Sequence, residues 1–113
     1  MFQTSTKYAY INYLLDDNPL PVAIKFGISG KAFARIREQM ICSVYDVVQH
    51  SLYLFPDANS CKKAERDCKK EFECGVVLKR DFRDGYTETT WPHNLNKIIE
   101  IYERNGGIRQ ENP

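Results

Sequence analysis

Two charged side chains stand where the hydrophobic pattern asks for apolar ones. Lys25 interrupts the extended apolar run Ala23-Ile24-Lys25-Phe26-Gly27-Ile28-Ser29. Glu65 falls, at 100° per residue, into the middle of a helix face otherwise marked by Cys61, Ala64, Cys68 and Phe72. An ionised carboxylate is seldom buried without a partner, so Glu65 asks for a reason beyond packing. Upstream, Lys7-Tyr8-Ala9-Tyr10-Ile11 places two phenols on one face of a strand. Downstream, Arg35 and Arg37 flank the apolar stripe of a helix, and its periodicity does not choose between them. Each residue type suits one task at a phosphate. A guanidinium stays charged and grips oxyanions with a fork of donors. A carboxylate oxygen suits Mg²⁺ or Mn²⁺, which take few protein ligands and keep most of their waters. A free tyrosine ionises near pH 10 and serves as a base only where positive charge favours the phenolate.

The elements that must position these groups follow from periodicity. Residues 7–14 and 22–28 alternate with period two and read as strands, with Tyr8, Tyr10 and Asn12 on one face of the first and Lys25 and Gly27 on one face of the second, and their pairing is expected to bring Tyr10 and Lys25 within one shared face. Asp16-Asp17-Asn18-Pro19 is turn chemistry, which makes the pair an antiparallel hairpin. Ser29-Gly30 opens a helix over 31–42 with Ala32, Phe33, Ile36 and Met40 inward. A third and more central strand is expected over 46–55, containing His50 as a core or edge histidine satisfied by hydrogen bonding. Asp57 caps a helix over 58–73 that Gly75 terminates. Val76-Val77-Leu78 reads as a short strand, and a further one is expected around 86–89. Trp91-Pro92 starts a last helix on Leu95, Ile98, Ile99 and Tyr102, ended by Gly106-Gly107, with a frayed tail over 108–113.

The order and spacing of these pieces resemble the GIY-YIG nuclease domain over roughly residues 7–91. Tyr8-Ala9-Tyr10 stands for the first triplet and Lys25-Phe26-Gly27 for the second, with lysine in place of tyrosine as in a branch common in phage and bacterial proteins. The resemblance implies a fold, namely a small α/β sandwich with a mainly antiparallel three-stranded sheet flanked by helices. It also implies a function: metal-dependent endonucleolytic hydrolysis of DNA phosphodiesters. The catalytic set it implies is Tyr8, Tyr10, Lys25, Arg35 and Glu65, with Glu65 holding one Mg²⁺ or Mn²⁺. Arg35 is chosen over Arg37 because it lies eight residues after Gly27. The segment Gly85-Tyr86-Thr87-Glu88 resembles a Gly-x-Thr-Glu stretch found late in this branch. The chain departs from the pattern in two places: Tyr8 replaces the opening glycine, and no tyrosine stands in the second motif. A domain of this fold that binds nucleic acid or protein without cleaving is therefore the alternative. Read without the resemblance, Tyr8 and Tyr10 are packing tyrosines and Lys25 is a strand-edge charge that discourages pairing.

Length and composition bound these readings. The chain's 113 residues make one domain with a core over about 7–104. The net charge of +1 supplies no global pull on nucleic acid, so a local basic surface has to bind it, in a salt-sensitive way. No apolar run reaches the ~20 residues of a membrane span, and the first residues lack a signal-peptide pattern, so a cytoplasmic location is expected. A protein partner or a homodimer is compatible with so small a domain. Cysteines 42, 61, 68 and 74 lack the spacing of a zinc site and read as reduced, mostly core thiols.

Overall fold

The computed structural model describes residues 7–30, 43–83 and 85–111. The helix expected over 31–42, with Arg35, Arg37 and Cys42, lies outside the described residues. The first two strands are β1 (Tyr8–Leu15) and β2 (Pro21–Ser29). Asp16 makes their turn: its Oδ1 accepts the amides of Asn18 and Leu20 at 2.9 and 2.8 Å, closing the chain back on itself. The two strands pair antiparallel, with Tyr10 opposite Gly27 and Asn12 opposite Lys25.

Strand β3 (Asp46–Leu54) pairs with the other side of β1. Two short strands, β4 (Thr89–Thr90) and β5 (Ile108–Gln110), extend the sheet outward to the antiparallel order β4-β2-β1-β3-β5. The three long strands lie where period two puts them. The middle of the sheet, however, is β1 and not β3. The dense apolar run of β3 misleads because Val48 is exposed and Asp46 opens the strand to solvent.

Helices α1 (Ala58–Glu71) and α2 (Leu95–Arg104) cover one face. Asp57 caps α1 by accepting the Ser60 amide at 2.7 Å. Cys61, Ala64 and Cys68 of α1 and Ile98, Ile101 and Tyr102 of α2 bury against Ala9, Ile11, Ile24, Phe26 and Tyr53. Phe72 meets Phe26 edge to face at 5.6 Å, and Tyr102 meets Tyr53 likewise at 5.4 Å. The buried Tyr102 hydroxyl donates to the Tyr10 carbonyl at 3.0 Å, tying α2 to the central strand. At the far end of the helix pair, Arg104 bridges to Glu71 and Asp67.

The opposite face carries a second, smaller core of Leu14, Ala23, Val47, Val77 and Phe82. Its cover explains a correction: Val76–Leu78 is not a strand. Val77 is buried against Phe82 while Leu78 stays exposed, and the Val76 amide goes to the Thr89 side-chain oxygen at 3.1 Å instead of a ladder. Helix α1 stops at Glu71 because Phe72 is already extended; Gly75, at φ +74°, serves the turn that leads toward β4. Of the segment expected as a strand around 86–89, Tyr86–Glu88 is a single 3₁₀ turn and only Thr89 belongs to a strand, β4. Part of the tail, Ile108–Gln110, is a strand where fraying was expected. Gly106 turns the chain at φ +93°, and β5 then pairs with Leu52, Tyr53 and Leu54.

Candidate functional site

Glycine at 27 makes the arrangement around Tyr10 possible. A methyl group there would lie 2.5 Å from the Tyr10 Oη, 2.8 Å from its Cζ and 3.3 Å from the Lys25 Nζ. The phenol therefore lies across bare backbone on the neighbouring strand, with the lysine head group beside it. The Lys25 ammonium sits 5.6 Å from the Tyr10 ring centroid, within the range of a cation–π contact. Both side chains are only 1% exposed. Tyr8 packs against Tyr10 and Leu52 on the same face, in a small cluster separate from the main core. Antiparallel pairing thus brings Tyr8, Tyr10 and Lys25 together, as the strand pattern implies.

A buried ammonium needs partners, and Lys25 has two kinds. Its Nζ donates to the Phe26 carbonyl at 2.8 Å and lies 3.5 Å from the Glu88 Oε1. Glu88 comes from the 3₁₀ turn, where the Thr87 hydroxyl donates to its other oxygen. That oxygen also stands 3.5 Å from Lys69 of α1. Burial pushes the Glu88 carboxyl up, but the Thr87 hydrogen bond and the charges of Lys25 and Lys69 outweigh it and hold the group below the usual glutamate value.

Glu65 occupies a different place from the one expected of it. It is half-buried at the rim of α1, not in the middle of the apolar face, and its Oε1 lies 3.8 Å from Lys69 one turn on. Lys69 therefore links Glu65 to Glu88, and Glu88 links onward to Lys25. This chain of alternating charge runs from the rim of α1 to the buried face that holds Tyr10. Arg35, the remaining residue of the expected set, lies outside the described residues. Sequence reasoning assigned no role to Glu88; the signal for it was the Gly85-Tyr86-Thr87-Glu88 segment.

Among the described residues no group of three or more His, Cys, Asp or Glu side chains gathers to hold a metal. A site of the Mg²⁺ kind needs fewer: one or two carboxylates, with waters filling the remainder. Glu65, half-buried and carrying a solvent-reachable carboxylate, fits that mode.

His50 lies elsewhere, lining a cleft of about 450 Å³ with Ser51, Arg109, Gln110 and Glu111. Its Nδ1 is 2.9 Å from the Ser51 Oγ, so the imidazole has the hydrogen bond expected of a strand histidine. Burial and then the Arg109 charge push its pKa below the ordinary value of 6.5.

Cys61, Cys68 and Cys74 are free thiols. Burial, with the Glu65 charge added, pushes Cys61 up to about 12. No helix among the described residues is long and apolar enough to cross a membrane. Comparison with known proteins finds no family model, curated protein or solved structure that matches the chain.

Proposed function

We propose that this domain hydrolyses DNA phosphodiester bonds in the manner of the GIY-YIG nucleases. The observation that carries the reading is the seating of Tyr10 across Gly27 with the Lys25 ammonium beside it, both buried. A buried lysine costs a purely structural strand desolvation even where a carbonyl and a carboxylate partner it, and it is useful where a phosphate oxygen and an attacking water must be held together. In this reading Tyr10 orients the water and Lys25 contacts the phosphate. Arg35, placed by its spacing from Gly27, clamps a second phosphate oxygen. Glu65 is the residue that would hold Mg²⁺ or Mn²⁺, which when bound supplies neutralising charge at the phosphate.

Nicking of supercoiled plasmid, with Mg²⁺ or Mn²⁺ against EDTA, tests the reading. The wild-type protein is expected to nick only with metal, and Lys25→Met to lower the rate by about 10²-fold or more. Glu65→Gln is expected to abolish both nicking and the rise in melting temperature that Mn²⁺ gives the wild type. Arg37→Ala is expected to do far less than Arg35→Ala. A wild-type protein that neither nicks nor responds to metal ends the reading.

One observation favours the alternative of a domain that binds without cleaving. Lys25 and Glu65 are both already in charge contact within the chain, through Glu88 and Lys69. Retention of plasmid DNA without nicking, in metal as in EDTA, is the result that selects it.

A further inference from the structure

Two lysines from different elements converge on one carboxylate. Lys25 is buried in the sheet, Lys69 is half-exposed near the end of α1, and Glu88 lies 3.5 Å from each. Those separations exceed the 2.7–2.9 Å of a well-made charge-assisted hydrogen bond, so one planar carboxylate spans the gap without closing it at either end. A phosphate is larger, tetrahedral and more heavily charged, and its oxygens can reach two ammonium groups at once. Glu88 also sits on a single 3₁₀ turn preceded by Gly85, whose φ of +94° suits glycine, and not within an α-helix or long strand. Lys25 is 1% exposed, while Glu88 is 19% exposed.

We propose that Lys25 and Lys69 form an anion site that the chain fills with its own Glu88, and that a phosphate group takes the place of the Glu88 carboxylate. The turn Tyr86–Glu88 then acts as an internal competitor, occupying the lysines until a phosphate arrives. That this phosphate belongs to a nucleic-acid strand rests on the nuclease reading; the two-lysine site does not.

Binding is measured in EDTA at low salt by calorimetry, with inorganic phosphate and with a short single-stranded DNA oligonucleotide as probes. Glu88→Gln removes the competitor's charge and keeps its shape, so it is expected to bind inorganic phosphate about tenfold more tightly than the wild type. Adding Lys69→Met to Glu88→Gln is expected to erase that gain, because one wall of the site is then gone. Glu88→Gln also leaves the Lys25 charge without its carboxylate. Glu88→Asp, which keeps the charge on a shorter arm, is therefore measured beside it and should show the same gain in smaller measure. Phosphate should raise the melting temperature of Glu88→Gln more than that of the wild type. Equal or weaker phosphate binding by both Glu88 variants overturns the proposal, as does a gain that survives Lys69→Met. Because these readouts need neither metal nor cleavage, the two failures are distinct. Absence of nicking with the gain intact refutes only the nuclease reading, whereas nicking without any gain refutes only the competitor. A gain for inorganic phosphate that the oligonucleotide does not share assigns the site to small phosphates.

Discussion

A methyl group at residue 27 would collide with the Tyr10 hydroxyl and ring carbon, at 2.5 and 2.8 Å. The phenol has little freedom to retreat, being 1% exposed and packed on Leu52 and Tyr8. Gly27→Ala is therefore expected to cost about 1–3 kcal/mol, the range of an overpacked core. Tyr10→Phe in the same chain removes the closer of the two clashing atoms and should recover part of that loss. Urea unfolding of the wild type, the two single variants and the double variant gives the coupling directly. Additive losses would mean that the phenol does not rest on residue 27. Tyr10, Lys25 and Gly27 were legible as one face because period-two strands paired through a short turn leave little freedom of register. Glu65 was less legible. At 100° per residue it falls on the flank of the line Ala64, Cys68, Cys61 and Phe72, just beyond Phe72 and not between them, and at that rim Lys69 meets it. Glu88 could not be placed from local pattern at all, because a single 3₁₀ turn has no periodicity and its partners lie on β2 and α1.

At the scale of elements, the short edge strand β4 is held less by its own ladder than by threonine side chains. Among the described residues only Ile24 and Lys25 pair with it. The Thr90 hydroxyl donates to the Glu73 carbonyl at 2.6 Å and accepts from the Asn94 side-chain Nδ2 at 2.9 Å, joining three segments at one oxygen. The Gly75 amide adds a bond to the Thr89 carbonyl at 2.8 Å. Thr90→Val keeps the shape and strands both partners, so a loss of about 1–3 kcal/mol is expected in denaturant unfolding. Because β4 follows directly on Glu88, the same change should speed amide hydrogen exchange across residues 85–90 more than in α2. Uniform acceleration through the whole chain would refute such local loosening. Strand β5 escaped the sequence reading, and β4 was expected a few residues early, for a shared reason: two or three residues cannot display an alternation. The return of β5 depends on the close approach of Gly107 to Phe55 and to the Tyr102 carbonyl, a tertiary contact that no window of sequence contains. Val76–Leu78 failed oppositely, since a β-branched run is equally suited to covering a small core as a loop.

For the molecule as a whole, ionisable groups on both helices and the sheet bend the stability curve at each end. Asp67 is held below its ordinary value by hydrogen bonds from Lys63 and Asn105, and Glu88 by Thr87, Lys25 and Lys69 against the effect of burial. A carboxylate with a depressed folded pKa contributes stability above its unfolded value, and that contribution is lost as pH falls through the folded value. His50 adds to the same limb. Its pKa falls below 6.5 on folding, so the unfolded chain binds more protons just under that pH and stability drops as acid is added. Cys61 acts at the other end: raised from 9.0 to about 12, it favours the folded state less as pH rises through that window. Melting temperature is expected to hold between about pH 7 and 9 and to fall on both sides. Glu88→Gln should flatten the limb below pH 4.5, where the ordinary glutamate titrates; an unchanged acid limb would remove Glu88 from the account. Strand β3 carries one more consequence. Its register against β1 slips between Ile11 and Asn12, leaving His50 as the extra residue just where pairing with β5 ends at Leu52. A regular open edge there would offer a row of amides and carbonyls to the same strand of another molecule. The slip breaks that row at its first position, so a crowded solution of this protein meets a poor template for end-to-end sheet growth into filaments.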